Sequence, residues 1–313
     1  MVFTLYELPR TSGGGHVVLR NLRLLERRYP ELFADDARTE SQLLIPRNWA
    51  GPGTNLSRRY VLLPQNAWPW SGLSRGFRSN ARRALIRGAS NVSMSRAEGV
   101  IRMGTSIPDR GRVLGPVIPN VLDEEFEEIV KATDPLTLPK VASRSFLAVG
   151  SWAPYRNYET LLKAYYLYRA AGGTWELLIG GPGRPRLDAT QLDGVRLFDS
   201  MSRREVFIAY LRSGVAIFPS SVEASPVAVL EACEAGIPMI VSDIQGHRDL
   251  PINASKFPTM DSLALCELMH KQDFVPGAPY DRVVSCASRS LVRREVREAW
   301  LTSMAEQLQK VCQ

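Results

Sequence analysis

The sequence has no Asp-x-Asp pair and no Gly-x-x-x-x-Gly-Lys-[Ser/Thr] stretch. The first absence removes a common metal-holding motif, and no metal or other cofactor is expected. The second excludes a P-loop. Histidine is rare, with only His16, His247 and His270, and no Ser-His-Asp arrangement is readable. No run of about 18 apolar residues occurs, so no spanning helix is expected. Met1 to Thr11 carries Glu7, Pro9 and Arg10 and lacks the basic start and long apolar centre of a signal peptide. The cysteines, Cys233, Cys266, Cys286 and Cys312, form no Cys-x-x-Cys pair. Free thiols in a cytoplasmic protein is the economical reading. Lysine is nearly missing, 6 against 33 arginines, a balance that a high-GC genome produces.

What is present is ordinary in bulk and uneven in detail. A chain of 313 residues with 45% hydrophobic and 23% charged content can bury a large core and is long enough for two domains. Residues 1–120 hold 18 Arg, no Lys and 8 acids, whereas residues 121–313 carry a small net negative charge. From Ser41 to Ala97 there are nine Arg and no acid, beside Trp49, Trp68, Trp70 and Phe77. Arginine beside aromatics suits an anionic membrane surface or an anionic acceptor. It equally suits a solvated surface. No nucleic-acid-binding motif accompanies the charge, so no nucleic acid partner is expected.

The rest of the chain is organised around one stretch, Phe218-Pro-Ser-Ser-Val-Glu223-Ala-Ser-Pro-Val-Ala-Val-Leu-Glu231-Ala-Cys-Glu-Ala-Gly236-Ile-Pro. Val215 to Phe218 reads as a strand and Val227 to Ala235 as a helix. Ser225 suits the N-cap and Pro226 the first helical position. Gly236 and Pro238 stop the helix. Glu223 therefore falls on a loop at a strand's carboxyl end, just before a helix N-terminus. Free N–H groups and the helix dipole favour a phosphate there. Glu231 follows a little over one turn into the helix. A phosphate seat flanked by two hydroxyl-seeking carboxylates suits a nucleotide sugar.

This stretch resembles the E-x7-E motif of family 4 of the glycosyltransferases, retaining enzymes with the GT-B fold. The match takes in the strand, the Pro-Ser, both glutamates, Ala-Gly-Ile-Pro and the following strand Met239-Ile-Val-Ser-Asp243. The resemblance implies two Rossmann-like doubly wound parallel-sheet domains facing across a cleft: residues 1–126 for the acceptor and 127–290 for the donor. A C-terminal helix, about 291–313, would pack back on the first domain. It implies that Glu223 binds donor-sugar hydroxyls and that Glu231 binds the ribose. Arg156 stands where the family usually has Lys and would neutralise the diphosphate. The backbone of Ala224, Ser225, Pro226, Val227 and Ala228 would surround sugar and phosphates, and Phe198 to Met201 would lie near the base. The Gly13-Gly14-Gly15 loop would touch the diphosphate from the first domain. His16, Asn66 and Trp68 are the acceptor-side candidates. The implied mechanism retains the anomeric configuration, with the leaving diphosphate's own oxygen taking the acceptor proton.

Two positions depart from the family pattern. Gly150-Ser151 replaces a common Gly-Arg, so a second diphosphate cation is missing there, with Arg184 or Arg186 as possible substitutes. Ala224-Ser225-Pro226 replaces a common Gly-Phe-Gly and alters the sugar pocket. Pro119-Asn-Val-Leu-Asp123 partly matches the Pro-Asn-Gly-Val-Asp that ends the first domain in the family.

In chain order, strands are expected at Val2 to Leu8, Gln42 to Pro46, Tyr60 to Pro64, Asn91 to Ser95, Gly111 to Ile118, Ser145 to Gly150, Trp175 to Gly180, Val195 to Phe198 and Gly214 to Pro219. Helices are expected at Val17 to Arg28, Arg75 to Arg87, Arg96 to Met103, Tyr158 to Ala171, Ser202 to Leu211, Asp261 to His270 and Leu291 to Val311. Leu122 to Ser143, with Pro135 and Pro139, reads as the interdomain connection. The alternation argues a parallel, doubly wound α/β sheet. The leading reading is a glycosyltransferase with a nucleotide-sugar donor and a small-molecule, lipid-linked or glycan acceptor, cytoplasmic or peripheral on the inner membrane face. Its rivals are a catalytically silent binding subunit of the same fold, a sugar-nucleotide epimerase, and a nicotinamide-dependent dehydrogenase. Against the last, Gly13-Gly-Gly-His-Val-Val ends in Val where the dinucleotide fingerprint needs Gly.

Overall fold

The computed structural model describes residues 2–5, 14–34, 41–48, 50, 59–71, 77–133, 143–183, 193–273 and 290–312. The chain divides into two compact units. Unit 1 comprises Met1–Asp123, Val222–Val227 and Arg294–Gln313, and unit 2 comprises Glu124–Ser221 and Ala228–Arg293.

Unit 1 is built on four parallel strands in the order β1 (Phe3–Leu5), β2 (Gln42–Ile45), β3 (Tyr60–Leu62) and β4 (Gly99–Val100). Helices α1 (Gly14–Arg28) and α2 (Phe77–Arg96) connect them. Strands β2 and β3 are buried along their whole length, as an apolar run covered on both faces requires. Val18, Leu22 and Leu25 of α1 reach the same core at helical spacing. So do Trp300, Leu301, Met304, Ala305 and Leu308 of the last helix, Ser290–Cys312. The C-terminal helix thus completes the core of the unit in which the chain began.

Unit 2 holds six parallel strands in the order β10-β9-β8-β5-β6-β7. These are β5 (Ser143–Val149), β6 (Glu176–Gly180), β7 (Val195–Phe198), β8 (Ser213–Phe218), β9 (Met239–Ser242) and β10 (Ser255–Phe257). The helices between them are α3 (Glu124–Ala132), α4 (Tyr158–Ala170), α5 (Arg203–Arg212), α6 (Val227–Ala235), α7 (Gln245–Arg248) and α8 (Ser262–Asp273), with α9 (Ser290–Cys312) last. The order reverses between β5 and β8. From β5 the chain builds outward through β6 and β7, and from β8 outward through β9 and β10. That reversal opens a crevice beyond the carboxyl ends of β5 and β8, where ligands bind in open α/β sheets.

Local chemistry explains the boundaries. Ser202 caps α5 in a full capping box with Glu205. Helix α6 ends in a Schellman arrangement: Gly236 sits at φ 69°, its N–H donates to the Cys233 carbonyl, and Ile237 N–H donates to the Ala232 carbonyl.

Five expectations are corrected in residues 14–133. Helix α1 starts at Gly14, so Gly14 and Gly15 lie in its first turn, not in a loop before it. Asn91 to Ser95 is the last stretch of α2 rather than a strand. Its polar atoms serve tertiary contacts: Asn91 accepts from the Trp70 indole N–H at 2.9 Å, and the Ser93 carbonyl accepts from the Tyr60 hydroxyl at 2.9 Å. Strand β4 stands inside the expected helix Arg96 to Met103, because Gly99 and Val100 pair with Val61 and Leu62 of β3, and a Cβ at Gly99 would press on the Leu114 side chain. Gly111 to Ile118 runs beside β4 but makes a single bridge, Val113 to Val100, since Gly111 and Gly115 turn the backbone at φ 72° and 58°. The expected connection after Leu122 is in part helix α3.

Candidate functional site

Two loops meet at the strand-order reversal of unit 2. The first follows β5 and runs from Gly150 to Asn157, and the second is Pro219 to Ser221, after β8. The Ser221 N–H and hydroxyl both donate to the Tyr155 carbonyl, at 2.7 and 3.1 Å. The Asn157 side-chain amide donates to the Pro219 carbonyl at 3.1 Å. Asn157 is buried and left-handed (φ 55°), a conformation asparagine tolerates better than most side chains. It sets the sharp turn from the Pro154–Arg156 helical turn into α4.

Arg156 is thereby placed at the mouth of the crevice. Its guanidinium lies 5.4 Å from the Tyr155 ring centroid and close against Gly150. Gly150 and Gly181 have φ of 150° and 155°, and a Cβ at Gly181 would collide with the Gly150 carbonyl. The ends of β5 and β6 can approach only because both residues are glycine. Arg184 and Arg186 lie outside the described residues, so the place of a second cation is not described.

Glu231, in α6, is 8% exposed. Its Oε1 accepts from Arg203 Nη2 at 2.8 Å and Nε at 3.2 Å. The Tyr210 hydroxyl donates to the Ala228 carbonyl in the first turn of α6 at 3.2 Å. Burial, and then the nearby Glu231 carboxylate and Tyr158, push the Tyr210 phenol well above its ordinary range, while Arg156 pulls the other way. Tyr210 thus feels the charges of both Glu231 and Arg156. Arg156 is half-buried on the loop after β5, and Glu231 is buried in the helix after β8. Phe198, at the carboxyl end of β7, is 41% exposed.

The segment Val222–Val227 belongs to unit 1. Glu223 is 8% exposed, and its carbonyl accepts from the Ser106 hydroxyl at 2.7 Å. Ala224 is part of the unit 1 core. The Ser225 hydroxyl accepts from the Asn120 N–H at 2.9 Å. Pro226 precedes the helix, and Val227 and Ala228 open it.

The acceptor-side candidates, also in unit 1, are less telling. His16 is exposed on α1, and Gly13 lies outside the described residues. The Asn66 side chain accepts from the Trp68 N–H at 2.7 Å, and its backbone is held by Asn48, so it shapes the Trp68–Trp70 turn. Arg203, Tyr210 and Asn120 escaped the sequence reading. Their partners lie 18 to 105 positions away, and no local spacing signals such pairs.

Among the described residues, no group of three or more His, Cys, Asp or Glu side chains is placed to hold a metal ion. No described helix is long and apolar enough to cross a membrane.

Residues 137–257 match the family model of glycosyl transferases group 1. That span carries Arg156, Arg203, Glu223 and Glu231. No curated protein sequence matches the chain significantly. Among solved structures, sucrose-phosphate synthase from Thermosynechococcus elongatus is similar with a TM-score of 0.63 at 17% identity, over 93% of this chain and 79% of that one. An α,α-trehalose-phosphate synthase (UDP-forming) from Burkholderia xenovorans, in complex with glucose-6-phosphate, gives 0.59 at 12% identity, over 92% and 76%. The N-terminal domain of trehalose-6-phosphate phosphatase from Candida albicans gives 0.60 at 12%, over 96% and 78%. At such identities the likeness concerns the fold alone, and that fold is GT-B.

Proposed function

We propose that the protein is a retaining, metal-independent glycosyltransferase that moves a sugar from a nucleotide diphosphate sugar to an acceptor hydroxyl. One observation carries the reading. The segment matching glycosyl transferases group 1 contains Arg156, on the loop after β5, and the buried Glu231, in the helix after β8, the two strands between which the order of unit 2 reverses.

In this reading Arg156 neutralises the diphosphate as negative charge grows on it, which lowers the barrier to departure. The first turn of α6 adds N–H groups that have no partner within the helix. Glu231 accepts the ribose hydroxyls, and exposed Phe198 offers an apolar face to the base. Glu223 accepts donor-sugar hydroxyls and fixes the sugar for attack from the face the diphosphate leaves. The leaving oxygen takes the acceptor proton, so the protein supplies positioning and charge and no covalent intermediate.

The names of the structural neighbours support a nucleotide sugar as donor and make a sugar phosphate one candidate acceptor. The basic α2 supports another, a lipid-linked acceptor at an anionic membrane. The reading places the protein in the cytoplasm, and peripheral membrane contact is part of the proposal.

The test is a thermal-shift screen of UDP-, GDP-, ADP- and dTDP-sugars, with and without EDTA. A donor at about 100 times its dissociation constant adds about 2.7 kcal/mol and raises the midpoint by several degrees. EDTA leaves that shift unchanged. A shift with NAD(P) and with none of the sugar nucleotides would mark a dehydrogenase instead.

A further inference from the structure

Arg203 occupies the first position of α5, directly after the Ser202 cap. A cation there opposes the helix dipole, so α5 itself gains nothing from it. Its surroundings give the reason for it. Nη2 and Nε converge on Glu231 Oε1, and Nη1 donates to Glu125 Oε2 at 3.0 Å. The guanidinium also lies 5.1 Å from the Phe126 ring centroid, and Phe126 packs edge-on against Phe207, one turn further along α5. One arginine is thus held by two carboxylates and a ring, all within unit 2.

We infer that Arg203 is the positioning residue of Glu231, and so sets both nucleotide affinity and the preference for ribose over deoxyribose. This rests on the nucleotide-sugar reading above. A carboxylate that accepts two ribose hydroxyls must be ionised and must not swing. Glu231 is nearly buried, and a nucleotide over it removes more water, which favours a rotamer change or a retreat toward solvent. The two N–H groups on Oε1 oppose both, since either movement breaks a charge-assisted pair. Glu125 and Phe126 in turn stop Arg203 from following a displaced Glu231. Lysine cannot reproduce this, because it has no planar fork to engage both acids.

The experiment is calorimetric titration of the full chain with UDP, GDP and ADP and with their 2′-deoxy counterparts. It compares wild type, Arg203→Gln, Arg203→Lys and Glu125→Gln. Wild type binds at least one ribonucleotide, about tenfold or more tighter than its deoxy form. Arg203→Gln weakens the ribonucleotide roughly 10- to 100-fold, the size of one charge-assisted hydrogen bond, and brings the ribo-to-deoxy ratio near one. Arg203→Lys falls between, and Glu125→Gln weakens binding about threefold. In turnover, the donor KM rises while kcat at saturating donor stays within about threefold, which a merely structural role would not produce. If Arg203→Gln does not fold, the ratio in Arg203→Lys decides by the same criterion. A wild type that prefers ribose, with the ratio unchanged in the variant, overturns this inference alone. A wild type that binds none of the nucleotides overturns the glycosyltransferase reading as well.

Discussion

Asn120 grips Ser225 twice. Its backbone N–H donates to Ser225 Oγ at 2.9 Å, and its side-chain amide donates to the Ser225 carbonyl at 2.8 Å. Both residues are buried. The pair fixes the middle of Val222–Val227, just before α6. Asn120→Ala leaves the Ser225 carbonyl buried without that donor, at a cost of about 1–3 kcal/mol. Gly104→Ala attacks the same segment from another side, because its Cβ would collide with the Ala224 carbonyl. Both variants should lower the urea midpoint, and both should lose more transfer activity than their stability loss explains. Activity that merely tracks the folded fraction would show that the segment has no special role.

Glu223→Gln keeps the size of the side chain and removes its charge. The Glu223 carbonyl, not its carboxylate, carries the bond to Ser106, so that contact survives. Transfer should fall about 100-fold or more, as when one group that stabilises developing charge is lost. The melting midpoint should stay within a few degrees. Unimpaired transfer at full stability would remove Glu223 from its proposed role.

Unit 2 was legible in the sequence because its strands are short apolar runs followed by turn residues. Val195–Phe198 matches its expected span, and the Ser202 start and Gly236 stop are local rules of capping. Residues 91–118 were not legible. Asn91, Ser93 and Met94 look like a strand one residue at a time, yet they continue a helix whose polar atoms bond to Trp70 and Tyr60, far off in sequence. Gly99 favours neither state locally, and its strand is set by pairing with Val61 of β3, distant in sequence. Of the candidate site, the two glutamates and Arg156 were marked by resemblance to a family motif, and their roles are proposals. The pairing of an arginine with Glu231 and of an asparagine with Ser225 could not be read, because tertiary contact alone selects them.

Alkaline stability follows from buried tyrosines: burial raises Tyr60, and it raises Tyr165 and Tyr210 further. The Tyr165 phenol is pushed up to about 12, chiefly by burial, and its hydroxyl donates to the Gly194 and Trp175 carbonyls at 2.9 and 3.0 Å. Tyr210 is raised for the same first reason. All three hold their protons longer in the folded state than in the unfolded chain, where tyrosine titrates near 10. Their contribution is therefore full below about pH 10 and is lost as the pH rises toward 12. Melting curves from pH 8 to about 11.5 should show the midpoint dropping only above pH 10. Tyr210→Phe, which cannot ionise, should flatten that drop, and an unchanged slope would count against the burial argument.

Helix α2 carries no acid, and its exposed face mixes arginine with apolar side chains. Leu85 is 76% exposed and Val92, two turns on, is 46% exposed, with Arg82, Arg87 and Arg96 exposed around them. Each arginine near an anionic surface contributes about 1 kcal/mol, and a buried leucine about 1.5–3 kcal/mol. Neither alone anchors a protein, but together they support reversible binding. Cosedimentation with anionic vesicles should therefore succeed at about 0.01 M salt, where charges act over about 30 Å, and fail near 1 M, where they act over about 3 Å. Neutral vesicles should not bind. Leu85→Gln should weaken low-salt binding roughly tenfold, and Arg82→Gln with Arg87→Gln should weaken it and flatten its salt dependence. No binding at low salt would leave the basic face as a solvated surface, and the acceptor would then be sought among water-soluble sugars and sugar phosphates.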